Sequence, residues 1–258
     1  VPAHLPVNHP FSEYKSNLGD ALYTLPNTPT NYLGTTGKAY DNPMKSELTK
    51  FLVTARLAYT DASGNILPAE ICTYKGQKFL GPNNVKKVIA DELDTYYKMK
   101  TSTAGTTYEK IEPTDIEFST TTEGSLKLQD YQVVAKLKSS ITELYRMSGG
   151  SYVAADMAVV KKDLQAVPVE IHNQGRTYYY TPIKHLGKPG SIAEYGIVRN
   201  HSYQVELNSI KGFGTPVYDP NKKIVPVVPS DDLTYLAAKI SVLSWRVVSS
   251  TVDLDKTK

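Results

Sequence analysis

Alternation of apolar and polar residues runs through most of the chain and predicts strands. It is clear at residues 51–59, where residues 61–65 follow with turn chemistry and a second apolar run ends at Ile71. Because successive side chains of a strand point to opposite faces, this pattern predicts a hairpin. The same alternation recurs at residues 167–171, 178–183 and 203–207. The first two of these runs flank Asn173-Gln174-Gly175 and predict a second hairpin.

Helical spacing of apolar residues occurs twice. The stronger case begins after a cap at Asn83 or Asn84 and carries apolar residues at Val85, Val88, Ile89, Leu93 and Tyr96. A weaker case involves Val134, Leu137, Ile141 and Leu144. Residues 131–138 would fit a strand equally well. The order of elements favours a β-sandwich with inserted helices over a parallel α/β sheet.

The C-terminal residues 235–258 form the most distinctive run of the sequence. Apolar positions alternate and then change phase, at Leu236, Ala238, Ile240 and Val242 and afterwards at Leu243, Trp245 and Val247. A phase change of one residue predicts a bulge or two strand segments that present opposite faces. At about 3.3 Å per residue, residues 235–250 would reach roughly 50 Å, well beyond one sandwich strand. Four prolines between residues 216 and 229 stiffen the segment before this strand. A long apolar strand on a stiff tether is suited to completing the sheet of another chain.

Composition limits the classes of function. The net charge of +3 comes from 29 basic and 26 acidic residues that are interspersed, which argues against nucleic acid as a partner. Cys72 is the only cysteine, so the chain has no internal disulfide, and a packed core thiol is expected. Tyrosine outnumbers phenylalanine 19 to 5, a balance that suits half-exposed sheet faces.

Motifs for catalysis are missing from the sequence. It contains no nucleophile elbow, zinc-protease helix, P-loop or dinucleotide fingerprint, so we expect no enzyme, no cofactor and no metal site. His201 lies in strand phase with Tyr203, and a structural histidine is favoured there over a metal ligand.

Four segments of the C-terminal part read YYYTPIKHLG from Tyr178, YGIVRNHSYQVELNSI from Tyr195, GFGTPVYDP from Gly212 and YLAAKISVLSWRVVSSTVDL from Tyr235. Together they resemble the fimbrillins, the subunits of type V pili. The resemblance covers roughly the last 80 residues, and is looser for the segment that starts at Tyr23. It implies a transthyretin-like Greek-key β-sandwich and polymerisation by strand exchange. The donor would be the C-terminal strand, through Leu236, Ala238, Ile240, Val242, Leu243, Trp245 and Val247.

The resemblance also implies a setting for the chain. We expect a linker or residual N-terminal segment at 1–22, a β-sandwich at 23–218, a proline-rich spacer at 219–234 and the donor strand at 235–258. The implied partners are other pilus subunits, accessory tip or anchor subunits, and host or bacterial surface ligands. The implied location is the bacterial surface, after export through the outer membrane as a lipoprotein precursor matured by proteolysis. Because fimbrillins usually carry two sandwiches, we expect the chain to be a C-terminal fragment rather than a compact accessory or tip-type subunit. The alternative function is a cell-surface adhesin or glycan-binding module, since exposed tyrosines stack on sugar faces.

Overall fold

The computed structural model describes most of the chain between residues 10 and 244. The described residues are 10–14, 26–27, 31–33, 39–43, 48–101, 107–185, 195–210, 212–226 and 236–244. Strands dominate, and the two α-helices lie in the middle of the chain. The prediction of a mainly β protein with one or two helices is therefore confirmed. No helix within these residues is both long and apolar enough to span a bilayer.

The largest sheet has five antiparallel strands in the order β10-β11-β14-β6-β7. Its strands are β6 (Ile71–Tyr74), β7 (Gln77–Leu80), β10 (Ile116–Ser119), β11 (Gln132–Leu137) and β14 (Val169–Ile171). Residues 133–135 of the second strand in this order are all buried. A run of consecutive buried residues requires cover on both faces of a strand, which explains why the spacing at Val134 and Leu137 looked helical although the residues form β11.

Two helices, α1 (Pro82–Asp94) and α2 (Met157–Gln165), cover this sheet. The predicted face of α1 is confirmed, since Val85, Ile89 and Leu93 are buried, but Tyr96 lies beyond the helix and is 71% exposed. The helix begins earlier than predicted, because Pro82 occupies its first turn after Gly81, and Asn83 and Asn84 are not its cap. We call the five-stranded sheet with its two helices the helix-covered sheet.

The helix α2 was not predicted. Its cap is Asp156, whose Oδ1 accepts a hydrogen bond from the Ala158 backbone N–H at 2.9 Å. Val160 and Leu164 form its buried face. An aspartate followed by apolar residues four apart was the available sequence signal, and the short length of the helix made it weak.

Five strands form a second part of the molecule, which we call the strand-only half. A three-stranded antiparallel sheet has the order β17-β15-β3, and a two-stranded ribbon joins β16 to β18. These strands are β3 (Lys50–Arg56), β15 (Arg176–Pro182), β16 (His201–Ile210), β17 (Thr215–Pro216) and β18 (Leu236–Ser244). The strand predicted at residues 203–207 is confirmed as the centre of β16.

Short two-stranded pairs complete the described structure. They are β1 (Asn31–Leu33) with β2 (Ala39–Pro43), β4 (Ala58–Thr60) with β5 (Ile66–Pro68), β8 (Met99–Lys100) with β9 (Tyr108–Glu109), and β12 (Tyr145–Ser148) with β13 (Ser151–Ala154). The pair β4–β5 confirms the first predicted hairpin, although it is shorter than the alternating pattern. The strand that begins at residue 50 leaves its sheet at Leu57, so β3 and β4 belong to different sheets.

The second predicted hairpin is wrong. Residues 173–175 form a 3-10 turn, but β14 before it belongs to the five-stranded sheet and β15 after it belongs to the three-stranded sheet. The chain therefore crosses between the two parts of the molecule at this point. It does so beside Leu57, where the Leu57 N–H donates to the Gly175 carbonyl at 2.7 Å. Gly175 has φ +71° and its Cβ would lie 2.2 Å from the Leu57 carbonyl oxygen, so this corner requires glycine.

Apolar packing differs between the two parts. The helix-covered sheet contains one continuous cluster of fifteen buried residues, among them Val85, Ile116, Val133, Leu144 and Val160. In the strand-only half, Val53 and Tyr179 form a small cluster on one face of the three-stranded sheet. Tyr178, Val217 and Ile224 form another cluster on its opposite face. The three-stranded sheet is thus covered on both sides.

Candidate assembly site

The ribbon of β16 and β18 contains the C-terminal strand that the sequence singles out for assembly. The two strands are antiparallel over their whole described length, from His201 opposite Ser244 to Ile210 opposite Leu236. Among the described strands, neither has a second partner in its own sheet. The C-terminal strand therefore lies at a sheet edge, paired with its own chain.

The register relates the predicted donor positions to β16. Ala238, Ile240 and Val242 lie opposite Leu207, Val205 and Tyr203, respectively, and the positions Leu236 and Leu243 lie opposite Ile210 and Ser202. Trp245 and Val247 lie outside the described residues. The pairing passes regularly through Val242 and Leu243, so the predicted phase change is not marked by a bulge within the described part of this strand. The one irregularity in the ribbon falls between Leu207 and Ser209 of β16.

The side chains of β16 alternate as the sequence predicts. Tyr203, Val205 and Leu207 are half-buried, whereas Gln204 and Glu206 between them are exposed. Leu207 packs against the cluster of Val53 and Tyr179 on β3 and β15. Leu207 thus anchors β16, the strand along which the C-terminal residues run, to the three-stranded sheet.

A loop at residues 212–214 connects β16 to β17 and is held by side chains of β15. The Thr177 hydroxyl donates to the Phe213 carbonyl at 2.6 Å and lies 3.0 Å from the Thr215 carbonyl. The Tyr179 hydroxyl donates to the Gly212 carbonyl at 3.1 Å. Thr177 is fully buried, so its hydroxyl depends on these carbonyl groups as hydrogen-bond partners.

Gly214 explains part of the GFGTP segment. Its φ is +68°, and a Cβ at this position would lie 2.4 Å from the Thr177 hydroxyl oxygen and 2.8 Å from the Tyr178 carbonyl oxygen. Both the backbone conformation and the close approach therefore require glycine.

His172 connects this loop to the helix-covered sheet. Its Nδ1 lies 3.1 Å from the Ile71 carbonyl and its Nε2 lies 3.0 Å from the Phe213 carbonyl, while the residue is only 3% exposed. Burial lowers the pKa of His172 below the ordinary value, although both carbonyl groups favour the cation. A neutral imidazole has one N–H, so it donates to only one of the two carbonyl groups.

Three polar rings meet at the beginning of β16. The Tyr203 hydroxyl lies 3.0 Å from His185 Nδ1 and accepts a hydrogen bond from the Val198 backbone N–H at 3.0 Å. The His185 and His201 rings are nearly perpendicular, with centroids 5.1 Å apart. The prediction that His201 shares a face with Tyr203 fits this arrangement. The presence of His185 beside them was not predicted, because 15 residues separate the two histidines in the sequence.

No group of three or more histidine, cysteine, aspartate or glutamate side chains in the described part of the chain could hold a metal ion. Cys72 is fully buried, as expected for a core thiol, and burial raises its pKa to about 12. The thiolate that nucleophilic chemistry needs is therefore strongly disfavoured.

Comparison with known families agrees with the resemblance seen in the sequence. A family model described as major fimbrial subunit protein type IV, fimbrillin, C-terminal, matches residues 170–251. The match extends from β14 through β18 and includes the GFGTP loop and the ribbon. No curated protein matches the chain. The C-terminal part of this chain is thus similar to subunits of fimbriae, which are structural proteins.

Proposed function

We propose that this chain is a structural subunit of a type V bacterial surface pilus and that its C-terminal strand completes the sheet of a neighbouring subunit. The observation that carries the proposal is the coincidence of the fimbrillin match with the ribbon. The strand at issue lies at a sheet edge and pairs with a single described strand. An edge strand of this kind is available for exchange between chains.

Exchange of the C-terminal strand between subunits is favourable only if its apolar side chains become more buried in the neighbour than they are beside β16. Leaving β16 for a neighbour replaces one ladder of backbone hydrogen bonds with another, so the ladders largely cancel. Burying five apolar side chains contributes on the order of 10 kcal/mol at about 1.5–3 kcal/mol each. The cost of association is roughly 4–15 kcal/mol. The balance therefore depends on Ile240, Val242, Leu243, Trp245 and Val247 finding a better groove in the neighbour.

The fold and setting belong to the same proposal. The sandwich is transthyretin-like with Greek-key connections, and the subunit reaches the surface as a lipoprotein precursor exported through the outer membrane. Its partners are further pilus subunits, including tip and anchor subunits. With its C-terminal strand paired to β16, the purified chain is expected to be monomeric or weakly associated. Spontaneous fibres in electron micrographs of this polypeptide alone would contradict that expectation.

The decisive experiment replaces Ile240 and Trp245 with Asp in the full-length subunit. Each charge would enter an apolar groove at a cost of several kcal/mol if buried without a partner. Filament yield, measured against the amount of folded, surface-exported monomer, should fall to background. The control replaces Lys239 and Ser241 with Asp, which adds two carboxylates to the same strand at positions that carry no apolar side chain. Filaments of normal length from the exported Ile240→Asp, Trp245→Asp variant would exclude the donor role.

A second candidate function, glycan binding, is favoured by a cluster of tyrosines. The rings of Tyr108 and Tyr152 stack with centroids 4.0 Å apart, and Tyr145 meets Tyr108 edge-on at 5.3 Å. The Lys100 amine lies 5.7 Å above the Tyr145 ring, and Met147 beside them is 57% exposed. Aromatic rings with a nearby amine would suit a sugar face. Binding on a glycan array that disappears in Tyr145→Ala and Tyr152→Ala variants would support this function.

A further inference from the structure

The strongest unassigned chemistry in the described residues is the pair of imidazoles at the start of β16. His185 and His201 are both half-buried, so each ring is held by protein on one side and reachable from solvent. In both rings an oxygen partner engages Nδ1, and in the described structure neither Nε2 has a hydrogen bond. The inference drawn from this pair does not depend on the proposed pilus function.

Hydrogen bonding fixes which nitrogen of His201 holds the proton. Its Nδ1 lies 2.8 Å from the Arg199 carbonyl, which can only accept a hydrogen bond. The proton of the neutral ring is therefore on Nδ1, and Nε2 presents a lone pair. A backbone carbonyl on one imidazole nitrogen is the usual support for a histidine that binds metal through the other nitrogen.

His185 has a similar support from a side chain. The Tyr203 hydroxyl at its Nδ1 already accepts the Val198 N–H, and its second lone pair is able to accept the His185 Nδ1–H. In that tautomer the Nε2 of His185 is also a lone-pair donor. Tyr203 then positions the His185 ring without touching a ligand itself.

The distance between the rings fits a shared ion. Two imidazoles that bind one tetrahedral metal ion through nitrogens at about 2.1 Å have ring centroids about 5 Å apart. The centroids of His185 and His201 are 5.1 Å apart and their planes differ by 87°. We propose that His185 and His201 together bind one divalent transition-metal ion, of which Zn²⁺ is the test case, through their Nε2 atoms.

The chemistry of the donor set limits this site. Imidazole nitrogen suits Zn²⁺, Ni²⁺ and Cu²⁺ and does not suit Ca²⁺ or Mg²⁺, which prefer oxygen. Two protein ligands leave the remaining coordination positions to water. Lys184 and Arg199, which neighbour the histidines in sequence, add positive charge that lowers affinity for a cation. The site is therefore of modest affinity.

Metal binding would stabilise the ribbon of β16 and β18. His185 belongs to the segment that follows β15, whereas His201 begins β16 opposite Ser244 of the C-terminal strand. An ion between them would tie the end of the three-stranded sheet to the strand that pairs with the C-terminal residues. The bound ion should therefore raise the melting temperature of the whole chain.

The test uses the full chain after removal of any polyhistidine tag. ZnCl2 is titrated by isothermal calorimetry and by long-range ¹H–¹⁵N spectra of the histidine rings, with CaCl2 as the control salt. We expect one Zn²⁺ per chain and shifts of the Nε2 signals of His185 and His201. His185→Gln and His201→Gln should each weaken binding by at least about 10-fold, and Tyr203→Phe by about 10-fold. Ser202→Ala, between the two ring-bearing positions of β16, should bind as the parent does.

Several results would overturn the proposal. They are unaltered Zn²⁺ affinity in both glutamine variants, absence of binding, or shifts that follow His4, His9 or His172 instead. Melting curves recorded without metal separate loss of the site from loss of the fold. The spectra of the parent chain need no variant, so they decide the matter even if a substitution unfolds the protein.

Discussion

The helix-covered sheet and the strand-only half use similar strands but stabilise them differently. In the first, two helices close a continuous cluster of fifteen buried residues. In the second, the described side chains form clusters of two and three buried residues, and polar contacts to carbonyl groups hold the connecting loop. The strands of the first part are thus fixed by burial, and those of the second depend more on hydrogen bonds and glycine geometry.

This difference affects how readily a strand can leave its sheet. A strand whose side chains are sealed under a helix leaves its sheet only when the core opens. A strand in a two-stranded ribbon leaves by breaking one ladder of backbone hydrogen bonds. A subunit that exchanges its C-terminal strand would need a stable part, such as the helix-covered sheet, and a strand that can leave its sheet, such as one in the ribbon.

The largest effect is expected from Leu144→Ala. Leu144 is fully buried in the helix-covered cluster, and removing its side chain should lower the free energy of unfolding by about 2–5 kcal/mol. Chemical denaturation measures the loss, and alkylation of Cys72, which is buried in the same cluster, should accelerate in parallel. Leu80→Ala is the control, because Leu80 is 47% exposed on the same sheet. Equal losses in the two variants would show that burial in the cluster is not what stabilises the helix-covered sheet.

Gly214→Ala should disturb the strand-only half selectively. The added Cβ would clash with the Thr177 hydroxyl and the Tyr178 carbonyl, and the positive φ of this position is strained for alanine. We therefore expect the free energy of unfolding to fall by about 1–3 kcal/mol or more. Hydrogen exchange should speed up in β16 and β17 while Cys72 stays protected. Gly64→Ala is the control for the positive φ alone, because Gly64 has φ +85° and open space around its Cβ. The difference between the two variants is the effect of the clash. Faster exchange in the helix-covered sheet as well would argue against two separately stabilised parts.

Thr177→Val should have a smaller effect of the same kind. Valine keeps the shape but removes the hydroxyl that donates to the Phe213 carbonyl, which should lower the free energy of unfolding by about 1–3 kcal/mol. Thermal unfolding measures the loss. Thr181→Val, on the same strand but only half-buried, should stay within about 0.5 kcal/mol of the parent. A neutral Thr177→Val variant would show that the loop does not depend on this hydroxyl and is held by its other contacts, such as those of His172 and Tyr179.

The smallest effect concerns pH. Because burial lowers the pKa of His172 in the folded chain, the unfolded chain takes up a proton first as the pH falls through about 6.5. The stability that His172 contributes is complete above this pH and is lost below it. Unfolding free energies at about pH 7.5 and about pH 5.5 should differ less in His172→Gln than in the parent. An identical pH dependence would exclude His172 as its source.

The fold was predictable where one local pattern had one meaning. Alternation at residues 203–207 identified a real strand, because one face of it is polar, and the turn residues 61–65 located the hairpin before Ile71. The run at Val133, Val134 and Ala135 was ambiguous, since a strand buried on both faces loses its alternation. The turn at residues 173–175 was misread because turn residues specify a change of direction, whereas tertiary packing decides which strand comes next.

The candidate site was predictable only along the chain. The alternation of apolar residues predicted a C-terminal strand, and residues 236–244 form β18. The alternation did not predict that β16 would be its partner. The pairing of His185 with His201 and the position of His172 between two carbonyl groups depend on contacts across sheets. Such contacts leave no periodic signal. The donor role of Trp245 and Val247 stays a prediction.

The corner at Gly175 and Leu57 has a mechanical meaning. Here the chain passes twice between the two parts, and the Leu57 amide and carbonyl tie both passages, through Gly175 on one side and Ala69 on the other. Tension applied along the C-terminal strand would first shear the ribbon and then load these two adjacent passages side by side. In the proposed filament, the force would thus reach the helix-covered sheet through two passages of the chain, joined at Leu57, instead of one.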